Sequence, residues 1–148
     1  MKGKAHSTTA YDLGLIASYA IRNEEFVEII TTRSYEFAEQ KGGRRFRVDN
    51  KNRFLDLMEG AIGIKTGFTG NAGYCFVGAV KREDKNLVSV VLGSGWPPNK
   101  NWKWSDTKTL MEYGIKEYES KDLDKKFVYE PVRVLDGVKD SVAVEVEK

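Results

Sequence analysis

Lys65, Thr66 and Gly67 stand together inside the apolar segment 61–68, and they are the residues of this chain best suited to chemistry. An ammonium and a hydroxyl side by side on a strand can hold a carboxylate by charge-assisted hydrogen bonds, and a neighbouring glycine lets an extended peptide lie against the backbone. Taken alone, the tripeptide could also be an ordinary strand running into a turn. Ser105-Asp106-Thr107-Lys108 places a serine three residues before a lysine, which as text fits an acyl-accepting serine with its activating base. His6 is the only histidine and Cys75 the only cysteine, which argues against a Ser-His-Asp triad, a His or Cys metal cluster and an internal disulfide. Cys75, within Tyr74-Cys75-Phe76-Val77, reads as a small core side chain.

Three further groups have a functional and a plain reading, and the plain one is preferred for each. Trp96, Trp102 and Trp104 could stack on a sugar but read as packing at a loop-to-helix junction. Arg44, Arg45 and Arg47 could bind phosphate but read as a solvated strand face, and Lys51 reads as a solvated lysine. Across the 148 residues, 24 basic and 22 acidic side chains are interleaved, so the net charge of +2 offers no field to gather nucleic acid or an anionic membrane surface. No run of 18 apolar residues occurs and the first residues lack the apolar stretch of a secretory signal, so the chain as written is expected to be soluble.

The elements that must position Lys65 follow from periodicity. Thr9 with Asp12 has the form of a capping box, and Leu13, Ile16, Ala17 and Ala20 recur at helical spacing behind it. Asn23 can cap a second helix whose first turn carries Glu24 and Glu25, and the two helices are expected to pack together. From Ser34 the period becomes two: Tyr35 and Phe37, a turn at Gly42-Gly43, then Phe46 and Val48, which predicts a β-hairpin. Residues 61–68, 73–82 and 86–93 read as an antiparallel meander, turning at 69–72 and at 83–85. After Gly93-Ser94-Gly95-Trp96-Pro97-Pro98, a helix carries Trp104, Thr107, Met111, Gly114 or Ile115, and Tyr118 along the stripe that a helix lying across a sheet presents. Beyond it the composition turns charged, and residues 127–129 and 132–135 look like short strands.

Residues 6–13, 63–74 and 102–108 resemble, in the same order, segments of low-molecular-mass penicillin-binding proteins, the serine-type D-Ala-D-Ala carboxypeptidases, and the likeness extends over residues 5–118. It implies an α/β (α+β) chain, part of the penicillin-binding transpeptidase and serine β-lactamase-like fold, with an antiparallel sheet packed by helices. Residues 1–119 would be the carboxy-terminal part of the peptidase domain. Residues 120–148, too few to bury a core of their own, would begin a β-rich domain and leave it incomplete.

The resemblance also implies roles. Lys65 and Thr66 would hold the carboxylate of a peptidoglycan stem peptide ending in D-Ala-D-Ala, Gly67 would let the peptide pair with the strand, and the Phe68 backbone N–H would be one of two oxyanion donors. Neither metal nor cofactor is implied, and β-lactams would bind the complete enzyme. The family also requires Ser-x-x-Lys and Ser-x-Asn before the Lys-Thr-Gly strand, and neither is there. Ser105 follows Lys65 and falls where the family has its carboxy-terminal helix, so it is rejected as the nucleophile and expected on a helix surface. The chain is therefore expected to be an inactive fragment of an extracytoplasmic, membrane-associated enzyme whose nucleophile, export signal and anchor lie elsewhere. The alternatives are a non-catalytic peptidoglycan-peptide module and a fragment that works by complementation. If strands of the missing part flank residues 86–93, an open edge is left there and self-association is expected.

Overall fold

The computed structural model describes residues 7–82, 85–119 and 130–144. Two short helices come first. Helix α1 (Ala10–Ala20) starts at Thr9, whose side chain accepts from the Asp12 N–H at 3.0 Å while Asp12 reaches back to the Thr9 N–H at 3.4 Å, a capping box that satisfies two orphan donors. Helix α2 (Glu24–Thr31) is capped by the Asn23 side chain accepting from Phe26 N–H at 3.0 Å. Strands β1 (Ser34–Ala38) and β2 (Arg45–Asp49) form the expected hairpin, with Tyr35 opposite Val48 and Phe37 opposite Phe46. Arg47 lies within ion-pair distance of Glu36 and Asp49, and all three arginines are exposed, as expected of a solvated face.

The centre is an antiparallel sheet in the order β3 (Ala61–Thr69), β4 (Gly73–Arg82), β5 (Lys85–Val91), with helix α4 (Trp102–Glu117) laid over β4 and β5. Alternation along β4 sends Phe76 and Val80 into a core with Trp104 and Met111 of α4 and Phe54 of the one-turn helix α3 (Phe54–Leu57). The aromatic rings meet edge to face, Phe76 with Phe54 at 5.4 Å and with Trp104 at 4.8 Å between centroids. Phe54 and Met111 are almost wholly enclosed. The opposite face of the sheet carries α1 and α2. Gly14 of α1 lies against Val90, and Gly63, at φ 128°, leaves space that a Cβ would fill at 3.3 Å from Ile30 of α2. Two short strands, β6 (Val132–Arg133) and β7 (Ser141–Val142), pair only with each other among the described residues. No helix among those residues is long and apolar enough to cross a membrane.

Several expectations need correction. Helices α1 and α2 do not form a packed pair; α1 rests on β5 and β4 and α2 on β3, because the sheet offers each of them a larger apolar face than the other helix does. Cys75 is half-buried outside the main core: the period of two sends it to the face opposite Phe76, where Ala79 is buried further along the strand but Cys75, opposite Gly67, is not. Trp104 is core and Trp96 and Trp102 pack against Gly73 and Gly95 at the junction while staying about half exposed, as read from the sequence; Tyr118, expected on the helical stripe, is instead exposed. Helix α3, with the enclosed Phe54, had no counterpart in the sequence reading. The third strand runs Lys85–Val91 rather than to Gly93. The expected strand at 127–129 and residues 83–84 of the turn lie outside the described residues.

Two stability measurements follow. Met111→Ala removes an enclosed side chain between helix and sheet and is expected to cost about 2–5 kcal/mol in denaturant unfolding followed by tryptophan fluorescence. Thr9→Ala removes the α1 cap and is expected to cost about 1 kcal/mol.

Candidate functional site

Lys65, Thr66, Gly67 and Phe68 lie on β3, an edge strand whose outer side pairs with no strand among the described residues. Their register against β4 fixes where each side chain goes. Lys65 is opposite Val77 and Gly67 opposite Cys75, so this pair faces the side of the sheet that carries α1 and α2. Thr66 is opposite Phe76 and Phe68 opposite Tyr74, so these face the α4 side. A ligand lying along the outer edge would thus have the Lys65 ammonium on one side and the Thr66 hydroxyl on the other. At Gly67 a Cβ would meet only that of Cys75, at 3.9 Å, so the approach to that face is open.

The direction of the backbone groups follows from one residue on β4. The Tyr74 N–H donates to the Gly95 carbonyl at 2.9 Å, and the Tyr74 carbonyl accepts from the Ser94 N–H at 2.8 Å. Both groups therefore point away from β3. In an antiparallel ladder, opposed residues exchange both hydrogen bonds or neither, so Phe68 and Tyr74 are a non-hydrogen-bonded pair and the Phe68 N–H and carbonyl point outward from the sheet. Two residues earlier, Thr66 has the same orientation. The Lys65 ammonium folds round to donate to the Thr66 carbonyl at 2.5 Å, which brings the cation to this free edge.

The other sequence candidates are not brought to the edge. Ser105 is exposed on α4, across the sheet from the face of Lys65, and its backbone carbonyl accepts from Thr109. Lys51 is exposed before α3. His6 lies outside the described residues. Among the described residues no three His, Cys, Asp or Glu side chains cluster as a metal site would require. A cleft of about 620 Å³, walled by Arg22 and Glu28 on the helical side and by Ile62 and Lys81 on the sheet, lies toward the other end of β3.

Sequence reasoning missed the residues behind the edge. The Phe68 and Tyr74 rings lie 4.4 Å apart, and the Lys103 ammonium sits 4.6 Å over the Tyr74 ring and 4.6 Å over that of Trp104 while donating to the Lys100 carbonyl at 2.8 Å. Burial, with the nearby Lys100 charge as a smaller cause, lowers the Lys103 pKa below the usual lysine value. A lysine on the inner stripe of α4, one residue before Trp104, was the available signal.

Comparison with known proteins supplies the family and the fold. Residues 1–95 match the peptidase S11 family, D-alanyl-D-alanine carboxypeptidase. The chain is 27% identical to D-alanyl-D-alanine carboxypeptidase DacF of Bacillus subtilis (strain 168), over 83% of this chain and 31% of that protein. It is 35% identical to a D-alanyl-D-alanine carboxypeptidase of Streptomyces sp. (strain K15), over 75% of this chain and 38% of that one. Among solved structures, a mutant of the Streptomyces K15 DD-transpeptidase superposes with a TM-score of 0.66 at 34% identity, covering 73% of this chain and 42% of that chain. Penicillin-binding protein D2 from Listeria monocytogenes in its cefotaxime-bound form gives 0.65 at 33% identity, covering 78% and 44%. The chain spans about a third of the length of these curated relatives. With a fold of this class, a Lys-Thr-Gly edge strand and a family match over most of its length, the chain belongs to the D-alanyl-D-alanine carboxypeptidase family.

Proposed function

We propose that this segment forms the substrate-holding edge of a serine-type carboxypeptidase that removes the terminal D-Ala from peptidoglycan stem peptides through an acyl-serine intermediate. The observation that carries this reading is the free edge of β3, where outward backbone groups of Thr66 and Phe68 stand beside the Lys65 ammonium. An extended peptide can add to that edge as a further strand, with its terminal carboxylate between Lys65 and the Thr66 hydroxyl. The Phe68 N–H then lies where it can donate to the oxygen of the scissile carbonyl as negative charge develops there. Gly67 keeps the approach clear.

The bond-breaking groups are a different matter. The only Ser-x-x-Lys of this chain begins at Ser105, on the wrong helix and the wrong face, so acylation needs a serine and a lysine that residues 1–148 do not supply. The complete protein would carry them, bind β-lactams as acylating mimics of D-Ala-D-Ala, and work outside the cytoplasm where the stem peptides are. Residues 1–119 would belong to the peptidase domain, which ends with α4, and residues 120–148 to the β-rich domain that follows.

A second reading, that this segment acts by joining the rest of the enzyme, is favoured by α1. Tyr11, Leu15, Ile16 and Tyr19 expose 73, 54, 65 and 79% of their surface on a helix that also buries Ala17, and a helix apolar on so many sides ordinarily has protein around it. The outer edge of β5 is likewise unpaired among the described residues, which makes self-association a further expectation; a discrete monomer at high concentration would count against it.

Two measurements test the main reading. Incubated with a fluorescent penicillin beside an active carboxypeptidase, the 148-residue chain is expected to show no adduct by intact mass; a stoichiometric adduct on Ser105 would overturn its rejection. In a ¹⁵N NMR titration with an acylated peptide ending in D-Ala-D-Ala, the amides of residues 65–68 are expected to shift. Lys65→Ala is expected to weaken that response roughly tenfold or more, the worth of a hydrogen bond to a charged group. Shifts confined to residues away from β3 would sink the assignment.

A further inference from the structure

The turn that follows the Lys-Thr-Gly strand is tied down from outside the sheet. The indole N–H of Trp96 donates to the Gly70 carbonyl at 2.8 Å, bridging from the loop after β5 to the tip of the β3–β4 turn. The same ring abuts the second arm of that turn: at Gly73, where φ is 70°, an added Cβ would stand 2.9 Å from the ring and 2.9 Å from the Gly95 carbonyl, so only glycine fits against the indole. Inside the turn the Ala72 N–H donates to the Thr69 hydroxyl at 3.1 Å.

The loop that supplies Trp96 is itself anchored. Ser94 is buried and its hydroxyl donates to the Asp106 carboxylate on α4, while the Trp102 ring stands 3.0 Å from where a Cβ on Gly95 would be. This loop also receives both backbone bonds of Tyr74, the residue opposite Phe68. Phe68 is thus only two residues from a turn whose far side is held by an indole, and it faces a tyrosine whose backbone is held by the same loop. Trp96 is about half exposed and lies outside the buried core cluster, so it does not serve chiefly as packing for that core.

We propose that Trp96 is a positioning residue for the edge of β3: its N–H to Gly70 holds the β3–β4 turn closed and thereby aims the outward Phe68 N–H at the ligand. The inference rests on the substrate-holding role of that edge. A single neutral hydrogen bond of this kind is worth about 0.5–1.5 kcal/mol, so its loss opens the turn roughly twofold to tenfold more often.

The test uses Trp96→Phe, which removes the indole donor together with the part of the ring nearest Gly73, in the 148-residue chain labelled with ¹⁵N. The Ala72 amide is expected to exchange with solvent roughly twofold to tenfold faster than in the wild type. The Phe68 amide is expected to need at least twofold more acyl-D-Ala-D-Ala peptide for half its shift, with core amides such as those of Val80 and Met111 exchanging at the wild-type rate. Trp102→Phe, which trims a loop anchor but leaves the indole donor of Trp96 in place, is expected to move both readouts less than Trp96→Phe does; an equal or larger effect would assign the change to a general loosening of the loop and overturn the role of this bond. Unchanged Ala72 exchange and peptide response in Trp96→Phe would overturn the positioning role while the reading of the edge stands. Failure of the wild-type Phe68 amide to respond to the peptide at all would overturn both.

Discussion

Tyr74 directs its backbone N–H and carbonyl to Gly95 and Ser94, and the character of the neighbouring strand depends on that choice. Had those groups turned to β3, the opposed Phe68 would have its own backbone consumed within the sheet and the outer edge would present the groups of Lys65 and Gly67 instead. The reactive-looking triplet would be unchanged as sequence and inverted as an edge. The loop between β5 and α4 therefore helps set which backbone groups the free edge of β3 presents, although none of its residues lies on β3.

The second organising constraint is that the sheet is used on both faces. Helix α4 and the short helix α3 close one face around Phe76, with three aromatic rings meeting edge to face, and α1 and α2 lean on the other. Lys65 belongs to the second face and Thr66 to the first, so the proposed grip on a ligand from both sides requires that these two residues stand at a strand edge. In the middle of a sheet the same residues would be separated by the backbone layer. The cation near Tyr74 fits the same plan: Lys103 extends its stem along the aromatic rings of the α4 side and gives its protons to a backbone carbonyl, so its charge is satisfied away from the edge where Lys65 stands.

Much of this was legible locally. The capping box at Thr9 and Asp12, the Asn23 cap, the alternation of Tyr35 and Phe37 with their partners, and the three-strand meander are all properties of short windows, where side chain and backbone decide together. The Lys-Thr-Gly strand and its family were likewise carried by contiguous residues. What a window does not contain is which neighbour wins: α1 and α2 went to the sheet rather than to each other, and Cys75 fell on the face opposite Phe76, at a point on the strand where its cover is incomplete although Ala79 on the same face is buried. Helix α3 escaped notice because it is a single turn, stabilised by the Asn52 side chain accepting from Phe54 N–H and by the enclosure of Phe54 rather than by any repeat of its own. The direction of the Phe68 N–H was invisible for a stricter reason, since it is set by a bond between residues 74 and 95.

The order of elements has a consequence for how the chain acquires its shape. From Phe54 to Glu117 each element packs mainly on its predecessors in sequence, β4 on β3, β5 on β4, and α4 back over β4 and β5, so this stretch is dominated by contacts of short sequence separation. Such topologies close small loops first and fold fast. Helices α1 and α2 depart from this, α1 most, because its seat on β5 lies several elements further along the chain. On a ribosome it would leave the exit tunnel long before that seat existed, capped and apolar on several sides. The capping box then has a role before folding as well as after it: it biases a waiting segment toward helix, whose backbone is satisfied, and away from an extended form that could pair with an open strand edge of another nascent chain.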